Sequence, residues 1–382
     1  MKNENKSYIQ FSTIFFFNYF SLAAIVTFLA PYFESLGLSG AQIGAINGLR
    51  SFVTIFFPPL FGLLGDRTGR HKKVLLFTMF MSLILSIALP FSTNFYTILV
   101  FFTLFSIFQV STPPLSDSLG LFSPFPFGNV RKWGAYGYAI ATLVTGIAAD
   151  YFGLKIIFVI FSFSLIVAIW FTTKLELATT TMQHHMLEDL KELIKNKTFI
   201  ILIFFSFFFG ISIMNNNIFF SLLYQHAGGT LSGIGFAFLL FALSEAPAMQ
   251  ITARYVQRFG TIPILIFATI ISTLRWGIYS FGPPTYILVG LFFLQGLSIG
   301  TYLPTAAELI RSLVKESVRS TAMTTYSAVF IGITGVVGSF ISGYILDFSG
   351  IQGVYVFFTL CSLISFIFLY LLATHLKGDS NV

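Results

Sequence analysis

Twelve apolar stretches, each closed by a polar residue or by proline and glycine, govern what this chain can become. They lie near residues 9–30, 42–65, 74–92, 95–117, 133–152, 155–173, 198–222, 231–253, 261–281, 285–308, 320–346 and 352–374. Hydrocarbon offers no hydrogen bond to a peptide group. A run of about 20 apolar residues therefore reads as a helix that satisfies its own backbone across a bilayer. Only 9% of the 382 residues are charged, against roughly 25% in water-soluble domains. That is too little polar surface for a soluble enzyme of this size, so the lipid bilayer is the expected surrounding. The net charge of +7 would suggest nucleic acid in a soluble protein, but its distribution argues otherwise.

Eighteen of the 21 lysines and arginines fall in alternate loops, on the side of the N-terminus. They are Lys2 and Lys6; Arg67, Arg70, Lys72 and Lys73; Arg131 and Lys132; Lys174, Lys191, Lys195 and Lys197; Arg254 and Arg258; Arg311, Lys315 and Arg319; and Lys377. The opposite side has Lys155 alone. Cytoplasmic loops carry such an excess, which puts both termini in the cytoplasm and favours an even number of crossings. Lys2 and Lys6 before an apolar run superficially resemble a signal peptide, but the run is too long, and it reads as a retained first helix.

The longest loop divides the chain into residues 1–173, a central cytoplasmic loop 174–197 and residues 198–382. Within that loop, Leu187 to Leu193 reads as a short amphipathic interfacial helix. The halves echo each other. Asp66-Arg67-Thr68-Gly69 after the second stretch matches Gln257-Arg258-Phe259-Gly260 after the eighth, and Asp150-Tyr151-Phe152-Gly153 matches Asp347-Phe348-Ser349-Gly350. The expected architecture is an all-α membrane protein of twelve transmembrane helices in two pseudo-symmetric six-helix bundles. Such repeats are the build of transporters, with the substrate site between them.

The second loop reads Gly62-Leu63-Leu64-Gly65-Asp66-Arg67-Thr68-Gly69-Arg70-His71-Lys72-Lys73. It resembles the G-x-x-x-D-R-x-G-R-[RK] signature of the major facilitator superfamily, with His71 where a second basic residue is usual. The resemblance implies that Gly62, Asp66, Arg67, Gly69 and Arg70 form a cytoplasmic latch, and Gly62 is expected to admit a neighbouring helix. Further segments resemble the phenylpropionate-permease branch, itself similar to lactose permease and the nucleoside–proton symporters. They are Ser39-Gly40-Ala41-Gln42-Ile43-Gly44, Pro58-Pro59, Pro114-Leu115-Ser116-Asp117, Val130-Arg131-Lys132-Trp133-Gly134, Ser244-Glu245-Ala246-Pro247, Leu274-Arg275-Trp276, Leu294-Gln295-Gly296 and Arg319-Ser320-Thr321-Ala322. The resemblance implies proton-coupled uptake by a monomer and leaves the substrate open among sugars, nucleosides and aromatic acids.

A charge at bilayer depth costs about 3 kcal/mol on insertion scales, so each needs a partner, a cavity or a role. Glu245 lies mid-stretch and is the candidate proton carrier, with Arg275 as its expected charge partner. An ion pair that only stitches two helices is the alternative, and relatives resembling lactose permease use acidic and arginine residues on these helices for coupling. The His and Glu that lactose permease carries on its tenth helix have no counterpart here between Gly296 and Ala307. Arg50, near Asn47, suits a carboxylate substrate or snorkels to the outer headgroups. Asp117 and Arg131 are expected to pair, for gating or for direct handling of proton or substrate. Asn18, Tyr19, Asn215, Asn216, Trp276, Gln295 and Tyr302 are the remaining candidates for lining a substrate cavity, against interhelical hydrogen bonding alone.

No G-x-x-x-x-G-K-[ST] phosphate loop occurs, no G-x-S-x-G elbow suits a hydrolase, no His/Cys cluster suits a metal, and Cys361 is the single cysteine, so no cofactor or metal is expected. The expected function is secondary active transport, a symporter importing a small organic solute with a proton by alternating access in a bacterial cytoplasmic membrane. A proton-driven exporter of drugs or metabolites is the alternative, and a non-transporting sensor or scaffold a further one.

Overall fold

The computed structural model of the chain describes residues 2–121, 123–175, 193 and 195–379, and most of the loop helix expected over Leu187 to Leu193 lies outside them. Every element among the described residues is helical. In order they are α1 (Lys2–Val26), α2 (Leu29–Ser35), α3 (Gly40–Thr68), α4 (His71–Ala88), α5 (Phe95–Gln109), α6 (Thr112–Leu121), α7 (Phe127–Phe152) and α8 (Ile156–Thr173). There follow α9 (Lys197–His226), α10 (Leu231–Phe259), α11 (Thr261–Ser280), α12 (Thr285–Leu313), α13 (Arg319–Ser327) and α14 (Thr334–Asp379).

Helix ends follow local chemistry. Ser39 opens α3 with a reciprocal capping box, its hydroxyl accepting from the Gln42 backbone N–H at 3.3 Å while the Gln42 side chain accepts from the Ser39 N–H at 3.0 Å. Asn94 and Asn196 cap α5 and α9 through their side-chain oxygens. Gly69 ends α3 in the left-handed region that glycine tolerates. Its counterpart Gly260 and the second echoed pair, Gly153 and Gly350, also have positive φ. Gly153 and Gly350 also share an extended ψ (167° and −175°), whereas Gly260 (ψ 173°) departs from Gly69 (ψ 16°), so the second pair of duplicated motifs is alike in backbone conformation and the first only in the sign of φ.

Among the described residues, ten helical runs are long and apolar enough to cross a membrane. One of them, Thr321–Leu376, has 56 residues. At 1.5 Å per residue it would extend about 80 Å, far beyond the roughly 30 Å of hydrocarbon. Non-helical backbone at Gly350 breaks it into two crossings. Helix α7 is diluted by Arg131, Lys132, Asp150 and several glycines and supplies the twelfth expected crossing.

The chain forms two compact units, Met1–Gln183 with Gly229–Leu239, and His184–Gly228 with Leu240–Val382. In the first, α1 packs along α7 and α8. A Cβ on Gly137 would collide with the backbone carbonyl of Phe16, so that crossing of α1 and α7 requires glycine. In the second, α9 packs along α14, and α11 against α12 and α14. A single π-turn, Ala328–Ile333, separates α13 from α14. Asn215 of α9 donates to the Thr334 carbonyl just beyond it at 3.1 Å.

Candidate substrate and ion-coupling site

In the first unit a polar seam joins α1, α6 and α7. The Asn18 amide donates to the Ser116 hydroxyl at 2.6 Å. The Tyr19 hydroxyl donates toward both Asp117 oxygens at 3.1 Å, and Arg131 Nε pairs with Asp117 Oδ1 at 2.9 Å. The Arg131 guanidinium carbon also lies 4.0 Å from the centre of the Tyr19 ring. A Cβ on Gly134 would sit 2.7 Å from Tyr19 Cδ2 and 3.1 Å from an Arg131 terminal nitrogen, so glycine makes room for this triad. The Asp117–Arg131 pair expected from the sequence is thus present, and Tyr19 belongs to it.

Arg50 donates to Gln109 at 3.3 Å, while its Nε is buried with no hydrogen-bond partner. Asn18, Ser21, Ser82, Gln109 and Thr112 line a crevice too narrow for water. Asn47 is buried, but its amide donates to the Ile43 carbonyl of its own helix at 2.9 Å.

At the end of α3, Asp66 faces His71 at 3.6 Å, and Arg67 and Arg70 are exposed. A Cβ on Gly62 would meet nothing within 4 Å, whereas one on Gly65 would lie 2.8 Å from His71 Nδ1. The close approach expected at Gly62 is made at Gly65 instead, because the buried imidazole of His71 fills the space above it. Lys72 donates to the Thr173 and Leu175 carbonyls at 2.8 and 2.7 Å, capping α8.

In the second unit three helices, α9, α11 and α14, meet at Asn216. Its Oδ1 accepts from Trp276 Nε1 at 3.3 Å and from the Tyr355 hydroxyl at 3.2 Å, leaving its Nδ2 buried without a partner. The Gln295 amide donates to Asn217 at 3.4 Å, and its own oxygen is buried without a partner. Tyr302 is fully buried, its ring 4.8 Å from that of Phe209 and 4.9 Å from that of Phe330. Asn215 differs from Asn216. It donates to the Ile211 and Thr334 carbonyls at 2.8 and 3.1 Å and accepts from Ser339 at 2.7 Å, so its hydrogen bonds are spent on helix packing.

Glu245 is half-buried in α10. Its backbone is held against α12, where a Cβ on Gly296 would lie 2.7 Å from the Glu245 nitrogen and one on Gly300 2.7 Å from the Glu245 carbonyl oxygen. The expected partnership with Arg275 is not made. Arg275 is 1% exposed and none of its three guanidinium nitrogens has a hydrogen-bond partner. The Trp276 and Tyr279 rings flank it at 5.4 and 6.0 Å. The physical reason is local: the Arg275 side chain lies among the rings of α11 instead of reaching the carboxyl of α10.

Sequence reasoning passed over several contributors. Gln109 and Tyr355 are single amide or hydroxyl residues without a motif, and Ser116, though part of the Pro114-Leu115-Ser116-Asp117 segment, carried no role of its own. The Gly296–Gly300 spacing, small residues four apart, was a usable signal for close helix contact.

The sequence matches the MFS_1 like family over residues 8–357. It is similar to the maltose permease of Geobacillus stearothermophilus, 34% identical over 95% of this chain and 94% of that one. It is also similar to the xanthosine permease of Escherichia coli, 21% identical over 89% and 88%, and to the multidrug resistance protein MdtG of Salmonella paratyphi A, 24% identical over 76% of each. The fold is shared with the nucleoside transporter NupG at a TM-score of 0.86, 17% identity, and coverage of 97% of this chain and 99% of that one. With its apolar helices and polar seams accounted for, the chain belongs to the MFS_1 like family and is a multi-pass membrane transporter of the major facilitator superfamily, not an enzyme.

Proposed function

We propose that the protein is a proton-coupled symporter that imports a sugar of disaccharide size across a bacterial cytoplasmic membrane by alternating access. The sequence relation to a maltose permease, end to end at 34% identity, carries the substrate class. Glu245 carries the proton, because it is a half-buried carboxyl in the middle of a membrane-spanning helix whose backbone is fixed by Gly296 and Gly300. Asn216 and Gln295 offer neutral donor and acceptor groups to sugar hydroxyls, and Trp276 and Tyr302 stiffen their surroundings. Arg275, buried among the rings of α11, is the second charged group of the coupling site.

The Tyr19–Asp117–Arg131 triad and the Gly62–Arg70 segment, with Asp66, Arg67 and Gly69, act as gating elements on the cytoplasmic side. The lysine and arginine distribution puts both termini there. Residues 1–173 and 198–382 serve as the two moving bundles of a monomer, joined by 174–197.

Purified protein in liposomes tests the reading with labelled maltose and an imposed proton gradient, acidic outside. Accumulation that a protonophore abolishes is expected. Glu245→Gln is expected to lose accumulation while keeping maltose exchange. Absence of any maltose movement refutes the substrate class, and undiminished accumulation in Glu245→Gln refutes the proton role. Export is the second reading, favoured by the MdtG similarity; an inward proton gradient that drives solute out of the vesicles would establish it.

A further inference from the structure

Asp150, the acidic residue of the echoed Asp-Tyr-Phe-Gly segment, takes no part in the site described above. It ends α7, and its two carboxylate oxygens accept from the backbone N–H groups of Leu231 at 2.9 Å and Ser232 at 2.8 Å. Those are the first two peptide groups of α10, donors that no helical turn can satisfy. A carboxylate there also meets the positive end of the helix dipole.

The same two helices touch through backbone. A Cβ on Gly146, one turn before Asp150, would lie 2.5 Å from the Leu231 carbonyl oxygen, and one on Gly235 would overlap the carbonyl oxygen of Thr142. The segment Gly229–Leu239 accordingly packs with the first unit, although from Leu240 the same helix belongs to the second.

We propose that Asp150 is a releasable clasp: it holds the head of α10 on α7, and its opening is the step that frees that head during the transport cycle. The chemistry suits release. The hydrogen bonds are at exposed positions, so water replaces the carboxylate when they break, without the cost of abandoning a buried charge. At Gly146 and Gly235 the helices meet backbone to backbone, so at these two points no side chain has to change rotamer for them to part.

Thr142 reports on the clasp, being wholly buried beside Gly235. Thr142→Cys in a Cys361→Ser background is labelled with a membrane-impermeant maleimide on intact cells and in liposomes. Asp150→Ala is expected to speed labelling by about tenfold, the change corresponding to loss of one charge-assisted cap. Gly235→Ala is expected to speed it as well, by wedging the helices apart while the carboxylate remains. Asp150→Asn, which keeps the size of the side chain and removes its charge, is expected to fall between.

Labelling that rises in Gly235→Ala but not in Asp150→Ala or Asp150→Asn would overturn the clasp and leave helix packing in its place. Slow labelling in every folded variant, judged by a single gel-filtration peak, would overturn the separation itself. The readout needs no substrate, so it stands or falls apart from the maltose experiment.

Discussion

Replacing each of two glycines of α12 by alanine separates packing from propensity in one helix. A Cβ at Gly290 would meet nothing within 4 Å, whereas one at Gly296 would overlap the Ser244 hydroxyl and the Phe241 carbonyl oxygen and lie 2.7 Å from the Glu245 nitrogen. Alanine at an unconstrained helical glycine stabilises by about 0.4–1 kcal/mol, chiefly through the unfolded chain. Overpacking a close contact costs about 1–3 kcal/mol. Ser244 can rotate its hydroxyl away, but the Phe241 carbonyl and Glu245 nitrogen are backbone of α10, so the helices themselves must separate by several tenths of an ångström. Gly290→Ala is therefore expected to stabilise by about 0.5–1 kcal/mol, and Gly296→Ala to destabilise by about 1–2 kcal/mol after the same gain is subtracted. Reversible unfolding in mild detergent measures both. Adding Ser244→Ala is expected to restore only part of the loss at Gly296, since the backbone contacts remain. Equal stability of the two single variants would refute the close-contact argument and with it the fixing of Glu245 by α12. Transport in Gly296→Ala is expected to fall along with stability, because the displaced residue is the proposed proton carrier.

Two further perturbations address the polar groups. Tyr19→Phe and Asp117→Asn are expected to couple by about 0.5–1.5 kcal/mol in a double-mutant cycle of stability, the value of one half-exposed charged hydrogen bond; additive effects would show that the 3.1 Å contacts contribute nothing. Arg275→Met removes a buried cation that makes no hydrogen bond, so it is expected to stabilise the protein by about 1 kcal/mol or more while lowering proton-driven uptake. A destabilised Arg275→Met with normal uptake would mean that the guanidinium is structural.

The reach of sequence reasoning varied with the kind of interaction. Apolar length and cation placement are averages over many residues, and they are carried by lipid, which permits helices and little else. Twelve segments and the echoed helix ends at Gly69 and Gly260 were accordingly visible before any coordinates. Charge adjacency along the chain was also informative where one short loop joins the partners, as for Asp117 and Arg131. It failed for Glu245 and Arg275, which lie on consecutive helices, because rotation of each helix about its axis decides whether side chains meet and nothing in the composition specifies that angle. Asparagines were the least legible. Asn215 and Asn216 are neighbours in sequence, yet they project about 100° apart on the helix. One is consumed by Ser339 and two carbonyls while the other keeps an unused donor.

That difference between satisfied and unsatisfied groups also separates the Tyr19–Asp117–Arg131 seam from the cluster around Asn216, while Arg50 in the first unit keeps a buried Nε without a partner. In the first, the strongest cation of the polar seam is neutralised on the spot, since Arg131 meets Asp117 at 2.9 Å and Tyr19 closes the triad. Such a cluster needs nothing from a ligand and suits a contact that forms and breaks as a unit. In the second, Arg275 and the Asn216 amide are donors without acceptors, and the Gln295 oxygen is an acceptor without a donor. Buried groups in that condition cost free energy in this conformation. Any arrangement that supplies oxygen to the donors and hydroxyl to the acceptor gains it back, and a sugar presents both on adjacent carbons. The incomplete set in the second unit is therefore one that hydroxyl groups complete and an apolar drug does not, in keeping with the sugar proposed above.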